Sequence, residues 1–139
     1  MIIRNAQLFD LKRCEELSDD PEILWVNGKY YDEDFLNHYL QDDGHFLIIE
    51  VNGRIIWYLL WEKIKAKGAI VWAFILDENH RGKWYWSKLY EHFEKNVKNA
   101  GWEWIYLIAR ANNEKLRDFY IKRGFIEWTK NIEYTKESL

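Results

Sequence analysis

Residues 69 to 101 constrain the fold more than any other stretch of the chain. Ala69-Ile70-Val71-Trp72-Ala73-Phe74-Ile75-Leu76 is an unbroken apolar run of strand length, rich in β-branched and aromatic residues, and reads as a buried strand. The turn His80-Arg81-Gly82-Lys83-Trp84-Tyr85-Trp86-Ser87 follows, and then Leu89, Phe93 and Val97 recur every four residues before Gly101, which predicts a helix over residues 87–99. A chain that leaves a strand and enters a helix through a short turn aims the first helical amides outward, and that geometry binds anions. Glycine would let those amides come close to a pyrophosphate, whereas Trp84 and Trp86 place two large rings on the approach. Trp102 to Ala109 reads as the next strand, closing a βαβ unit with an expected right-handed crossover.

The remaining elements surround this unit. Ile2 to Arg4 can start a strand, and Leu11, Cys14 and Leu17 sit at helical spacing behind Asp10, an expected helix cap. A second helix is predicted from Asp32 to Gln41. His45 to Val51 and Arg54 to Ile64 flank Asn52-Gly53, the dipeptide that favours a tight hairpin, and Lys65 to Gly68 turns the chain into the strand at 69. Glu114 to Lys122 predicts a last helix ending at Gly124, and Phe125 to Tyr134 a closing strand or hairpin. The order β-α-α-β-β-β-α-β-α-β predicts an α+β fold with a mixed, mostly antiparallel sheet in a single domain over residues 1–139.

Charge and composition exclude several partners. A net charge of −3 with no basic block argues against nucleic acid and anionic membranes, and no run reaches the ~20 apolar residues that span a bilayer. Cys14 is the sole cysteine, so neither an internal disulfide nor a cysteine metal cluster is expected; no His pair has metal-ligand spacing either. Met1 to Arg4 lacks a signal peptide's apolar stretch, and a cytoplasmic location is expected.

Three signals stand in register: the strand-turn-helix at Leu76 to Ser87, Asn113 followed seven residues later by Tyr120, and Gly124-Phe125. With them the chain resembles the GCN5-related N-acetyltransferase (GNAT) superfamily over nearly its whole length. The resemblance implies a GNAT fold with a central βαβ cofactor unit, acetyl-coenzyme A as cofactor and a small-molecule or peptide amine as acceptor. It implies that Arg81, Gly82, Lys83, Trp84, Tyr85, Trp86 and Ser87 meet the pyrophosphate and that the Leu76 strand end pairs with the pantetheine arm. Asn113 would touch the cofactor, and Tyr120 would protonate the leaving thiolate. Trp84 and Trp86 depart from the family's pattern, since both fall where it has small residues. Asn113 is equally a good helix cap, and Tyr120 a good core residue.

No carboxylate lies on the strand Ile70 to Leu76, where many relatives carry a base; Glu50, Glu62 and Asp77 stand near strand ends and read as surface charges, with action through water as the alternative. Asp19, Asp20, Glu22, Asp32, Glu33 and Asp34 make the region between the first two helices acidic, which reads as a solvated loop and would also suit a cationic amine. The chain holds 9 Trp, and Trp57 and Trp61 share one face of their strand. A second reading therefore stands beside the enzyme: a non-catalytic GNAT scaffold, diverged or engineered, whose groove is filled by Trp rings or whose aromatic surface binds a protein, a flat apolar ligand or a second copy. The direction of Trp84 and Trp86 separates the two.

Overall fold

The structure, a computed structural model, describes residues 1–19, 31–41, 45–81, 84–109, 113–129, 132, 134 and 136. They form two compact units, Met1–Leu107 and Ile108–Leu139, each treated by itself below.

The first unit is a five-stranded sheet. Strands β1 (Ile2–Asn5), β2 (Phe46–Val51), β3 (Arg54–Ile64), β4 (Gly68–Leu76) and β5 (Trp104–Leu107) lie side by side in chain order. The first three pairings are antiparallel and the last is parallel. Asn52 and Gly53 take the left-handed conformation, with φ of 50° and 74°, as the hairpin prediction requires. Ala66 and Lys67 also have positive φ, a strained choice for residues with a Cβ, and the start of β5 holds them there. The Trp104 indole donates to the Ala66 carbonyl at 2.6 Å, and the Glu103 amide to the Lys67 carbonyl at 2.8 Å.

Helices α1 (Leu11–Ser18) and α2 (Glu33–Leu40) cover one face, where Leu11, Cys14, Leu17, Leu36 and Tyr39 pack with Phe46, Ile48, Tyr58, Leu60, Ala73 and Ile75. The opposite face receives α3 (Tyr85–Asn99), whose Leu89, Phe93 and Val97 are buried as their spacing predicts. Trp57 and Trp61 alternate with Tyr58 and Leu60 and so point toward α3; the Trp61 ring meets Phe93 edge-on at 5.5 Å.

Several expectations need correction. Asp10 does not cap α1: its carboxylate takes two hydrogen bonds from Arg4, at 2.7 and 2.9 Å, and one from the Gln7 amide, while a 3-10 turn over Leu8–Asp10 leads into the helix. A charged guanidinium fork outcompetes a neutral amide for the carboxylate. Asp32 does cap α2, accepting from the Phe35 amide at 2.8 Å. Helix α3 starts two residues earlier than predicted, so Tyr85 and Trp86 belong to its first turn.

The second unit contains α4 (Glu114–Lys122), ended by Gly124 at φ 88°. Of the strand expected over Phe125 to Tyr134, residues 125–129, 132 and 134 are in no strand, and 130, 131 and 133 lie outside the described residues. Ile126, Trp128, Ile132 and Tyr134 carry the alternation of a strand yet are exposed. Strand propensity is realised only against a neighbouring strand and a covered face, and these side chains have no covered face. No helix among the described residues is long and apolar enough to cross a membrane.

Candidate active site

The turn between β4 and α3 is fastened at its strand end. Leu76 pairs with Trp57 across β3, and the Asp77 amide donates to the Ile56 carbonyl at 2.8 Å, a carbonyl turned out by the bulge at Ile56. The Asp77 carboxylate accepts from Arg13 of α1 at 2.8 Å and from the Asn79 amide at 3.0 Å, and the His80 ring lies 3.6 Å away. Far from being a surface charge, Asp77 is only 7% exposed. Burial pushes its carboxyl pKa up, but the Asn79 hydrogen bond and the charges of His80 and Arg13 outweigh burial and leave it lowered. Asp77 is therefore an anchor tying α1, β3 and the turn together, and it is unsuited to act as a base.

Arg81, exposed, ends the short 3-10 turn Glu78–His80; Gly82 and Lys83 lie outside the described residues. Trp84 stands at the N-cap of α3, and the first hydrogen bond of the helix runs from the Lys88 amide to the Trp84 carbonyl at 3.2 Å. The amides of Tyr85, Trp86 and Ser87 precede that bond, as the first amides of any helix do.

The two tryptophans of the turn go different ways. Trp86 turns inward onto the sheet, its ring 5.6 Å from Trp57 and 5.3 Å from Phe74, which are themselves 5.4 Å apart. Three rings thus meet at tilted angles in the seam between α3 and strands β3 and β4, the packing that ring quadrupoles favour. Trp84 turns outward: it is 55% exposed and lies against Tyr85 at 4.8 Å. The half-buried Trp86 ring is wedged under the helix against the sheet.

Beyond the turn, β4 loses its parallel neighbour. Pairing with β5 covers only Gly68 to Val71, so among the described residues Trp72 to Leu76 have no strand on that edge. Trp72 is the extra residue of a bulge opposite Leu60 and Trp61; its ring is 48% exposed, and its indole donates to the Glu62 carboxylate at 2.8 Å. Glu62 also helps, after burial, to raise the Tyr39 phenol to about 12. Glu50 is taken up by Arg4 at 2.9 Å. Sequence reasoning missed the pairing of Glu62 with Trp72, because only the bulge brings them to one face.

In the second unit Asn113 caps α4, its side chain accepting from the Leu116 amide at 3.1 Å. Tyr120 is buried on the same helix, with its ring edge-on to Phe119 at 5.4 Å and to Phe125 at 5.2 Å. Both roles that the residue types suggest on physical grounds, cap and packed ring, are therefore realised.

The sequence profile of the acetyltransferase (GNAT) family matches residues 8–125. The chain belongs to that family. Its fold agrees with solved GNAT structures: a PaiA N-acetyltransferase from Thermoplasma acidophilum in complex with coenzyme A (TM-score 0.81, 20% identity, 94% of this chain and 92% of that one) and Ard1 from Thermoplasma volcanium (TM-score 0.81, 19% identity, 92% and 84%). The ribosomal-protein-S18-alanine N-acetyltransferase from Escherichia coli is similar as well (TM-score 0.76, 16% identity, 92% and 79%). At such identities the likeness concerns the fold. No curated protein sequence matches the chain.

Proposed function

We propose that this GNAT protein transfers an acetyl group from acetyl-coenzyme A to a primary amine, working as a single domain in the cytoplasm. The observation that carries the reading is the direction of Trp86. Its ring packs on Trp57 and Phe74 under the helix, which supports a reading in which the first amides of α3 hold an anion despite its size. The turn Arg81 to Ser87 would hold the pyrophosphate through those amides and the positive end of the helix dipole, with Arg81 and Lys83 adding charge. Backbone groups of β4 from Trp72 to Leu76 would pair with the pantetheine amides, and the exposed Trp84 ring offers a stacking surface for the nucleotide.

The cofactor would supply an activated acyl group on sulfur. Asn113 would reach it as well as capping α4. Tyr120 would give its phenolic proton to the departing sulfur: a phenol of pKa ~10 can protonate a thiolate of pKa ~8.5 only when held in place and shielded from water, and the burial of the Tyr120 ring beside Phe119 and Phe125 supports that reading. That the family profile runs from residue 8 to residue 125 supports treating both units as one functional domain.

Calorimetric titration with acetyl-coenzyme A tests the reading. Binding at micromolar to submillimolar concentration is expected, and Tyr120→Phe should lower kcat with little change in cofactor affinity. Absence of binding at millimolar ligand would overturn it in favour of the filled scaffold.

A further inference from the structure

The carboxylate of Asp77 faces two ways. Its Oδ2 accepts from Nη2 of Arg13 at 2.8 Å and lies 3.9 Å from Nη2 of Arg54, whereas its Oδ1 accepts from the Asn79 amide at 3.0 Å and lies 3.6 Å from Nδ1 of His80. One oxygen is thus held by the scaffold, and the other holds the turn. The backbone of Asp77 repeats the division: its amide donates to the Ile56 carbonyl of β3 at 2.8 Å, and its carbonyl accepts from the His80 amide at 3.0 Å. The Arg81 amide then donates to the Glu78 carbonyl at 3.3 Å, so the place of Arg81 follows from that of the short 3-10 turn before it.

Arg13 fixes the orientation of that carboxylate. Its guanidinium is planar, and its nitrogens reach three places: Nε the Ile55 carbonyl of β3 at 3.1 Å, Nη2 the Asp77 carboxylate at 2.8 Å, and Nη1 the Glu16 carboxylate of its own helix at 3.4 Å. A rigid fork already bonded to Ile55 can offer Nη2 to Asp77 over only a narrow range of directions. With Oδ2 caught there, the carboxylate cannot turn about its last side-chain bond without losing either Arg13 or the Asn79 amide.

We propose that Arg13 is a positioning residue for the cofactor turn: acting through Asp77, it sets where Asn79, His80 and Arg81 stand, and so where the turn meets the cofactor's pyrophosphate. The proposal rests on the acetyltransferase reading above. Arg13 belongs to α1, on the face of the sheet opposite α3, so its effect on the cofactor passes through Asp77. A pyrophosphate held by backbone amides meets no flexible side chain that could absorb a displacement, and a shift of the turn by about 1 Å weakens all of its hydrogen bonds together. The thioester lies at the far end of the pantetheine arm from the phosphates. The loss should therefore fall on cofactor affinity and spare the acyl-transfer step.

The test is Arg13→Lys, which keeps the charge but replaces the fork by a single ammonium that cannot occupy the positions of Nε and Nη2 together. Without any cofactor, residue-resolved hydrogen exchange should show the Asn79 and His80 amides exchanging about tenfold faster in the variant, with those of Leu89 and Phe93 in α3 unaltered. Calorimetric titration should show acetyl-coenzyme A binding about tenfold more weakly, while S-acetylpantetheine, an acetyl donor without the pyrophosphate, should keep its kcat/KM within about twofold. In turnover with acetyl-coenzyme A the change should appear in KM rather than kcat. Unchanged exchange at Asn79 and His80, or an equal loss for the two donors, would overturn this proposal alone. Absence of acetyl-coenzyme A binding to the unaltered protein would overturn it together with the acetyltransferase reading.

Discussion

Replacing Trp86 by Ala should destabilise the protein without weakening acetyl-coenzyme A binding, whereas replacing Trp84 by Ala should do the reverse. Trp86 presents roughly 200 Å² of side-chain surface, most of it covered by α3 and the sheet; at ~25 cal/mol per Å², reduced for the compactness of the unfolded chain and for the Cβ that remains, this gives about 2–3 kcal/mol. Two tilted ring contacts, to Trp57 at 5.6 Å and to Phe74 at 5.3 Å, add about 0.5–1 kcal/mol each. The higher helix propensity of Ala returns about 0.5 kcal/mol. A net loss of about 3 kcal/mol is expected, read as a lower urea midpoint at unchanged m value. Trp84, 55% exposed at the N-cap, should cost less than about 0.5 kcal/mol on replacement, while its loss from a nucleotide-stacking surface should weaken acetyl-coenzyme A binding by about five- to tenfold. Urea denaturation followed by circular dichroism, paired with calorimetric titration, separates the two effects. If Trp86→Ala tightened cofactor binding more than tenfold at little cost in stability, Trp86 would be a plug in the groove and the wedge interpretation would fail.

Three further outcomes follow from the packing. A Cβ at Gly68 would run into the six-membered ring of Trp104, which its hydrogen bond to Ala66 holds in place; Gly68→Ala should cost about 1–3 kcal/mol in a thermal melt, and should cost far less in a Trp104→Ala background. Because the Asp77 pKa is lowered on folding, its contribution to stability is present above the ordinary aspartate value of ~3.9 and is lost as pH falls below it through the folded value. Urea midpoints between pH 2 and 6 should therefore fall less steeply for Asp77→Asn than for the unaltered protein, and parallel curves would remove the anchor role. Burial raises the Cys14 thiol to about 12, so at pH 8 it should resist Ellman's reagent until the protein unfolds; its contribution to stability is complete below the usual thiol pKa of ~8.5 and declines as pH rises toward 12. Labelling at the rate of a free thiol in native buffer would contradict the burial.

The strands and helices that bound the turn were legible in the chain because their signals are local. Asn52-Gly53 specifies a hairpin through its own backbone, and Leu89, Phe93 and Val97 mark one helical face by spacing alone. Where a competing partner comes from elsewhere in the chain, local reading failed. Asp10 looks like a cap until Arg4 takes its carboxylate, Asp77 looks like a surface charge until Arg13 reaches it, and Ile126, Trp128, Ile132 and Tyr134 alternate like a strand yet are exposed.

The strand-turn-helix at Leu76 to Ser87, taken together with Asn113, Tyr120 and Gly124-Phe125, made the resemblance to the GNAT family legible in the sequence. It could not determine which way Trp84 and Trp86 turn, because a ring's direction depends on the room its neighbours leave. Trp57 and Phe74 come from two strands that only the sheet brings together, and their seam receives Trp86. The bulge at Trp72 is likewise a product of strand pairing, and it alone joins Glu62 to the aromatic surface.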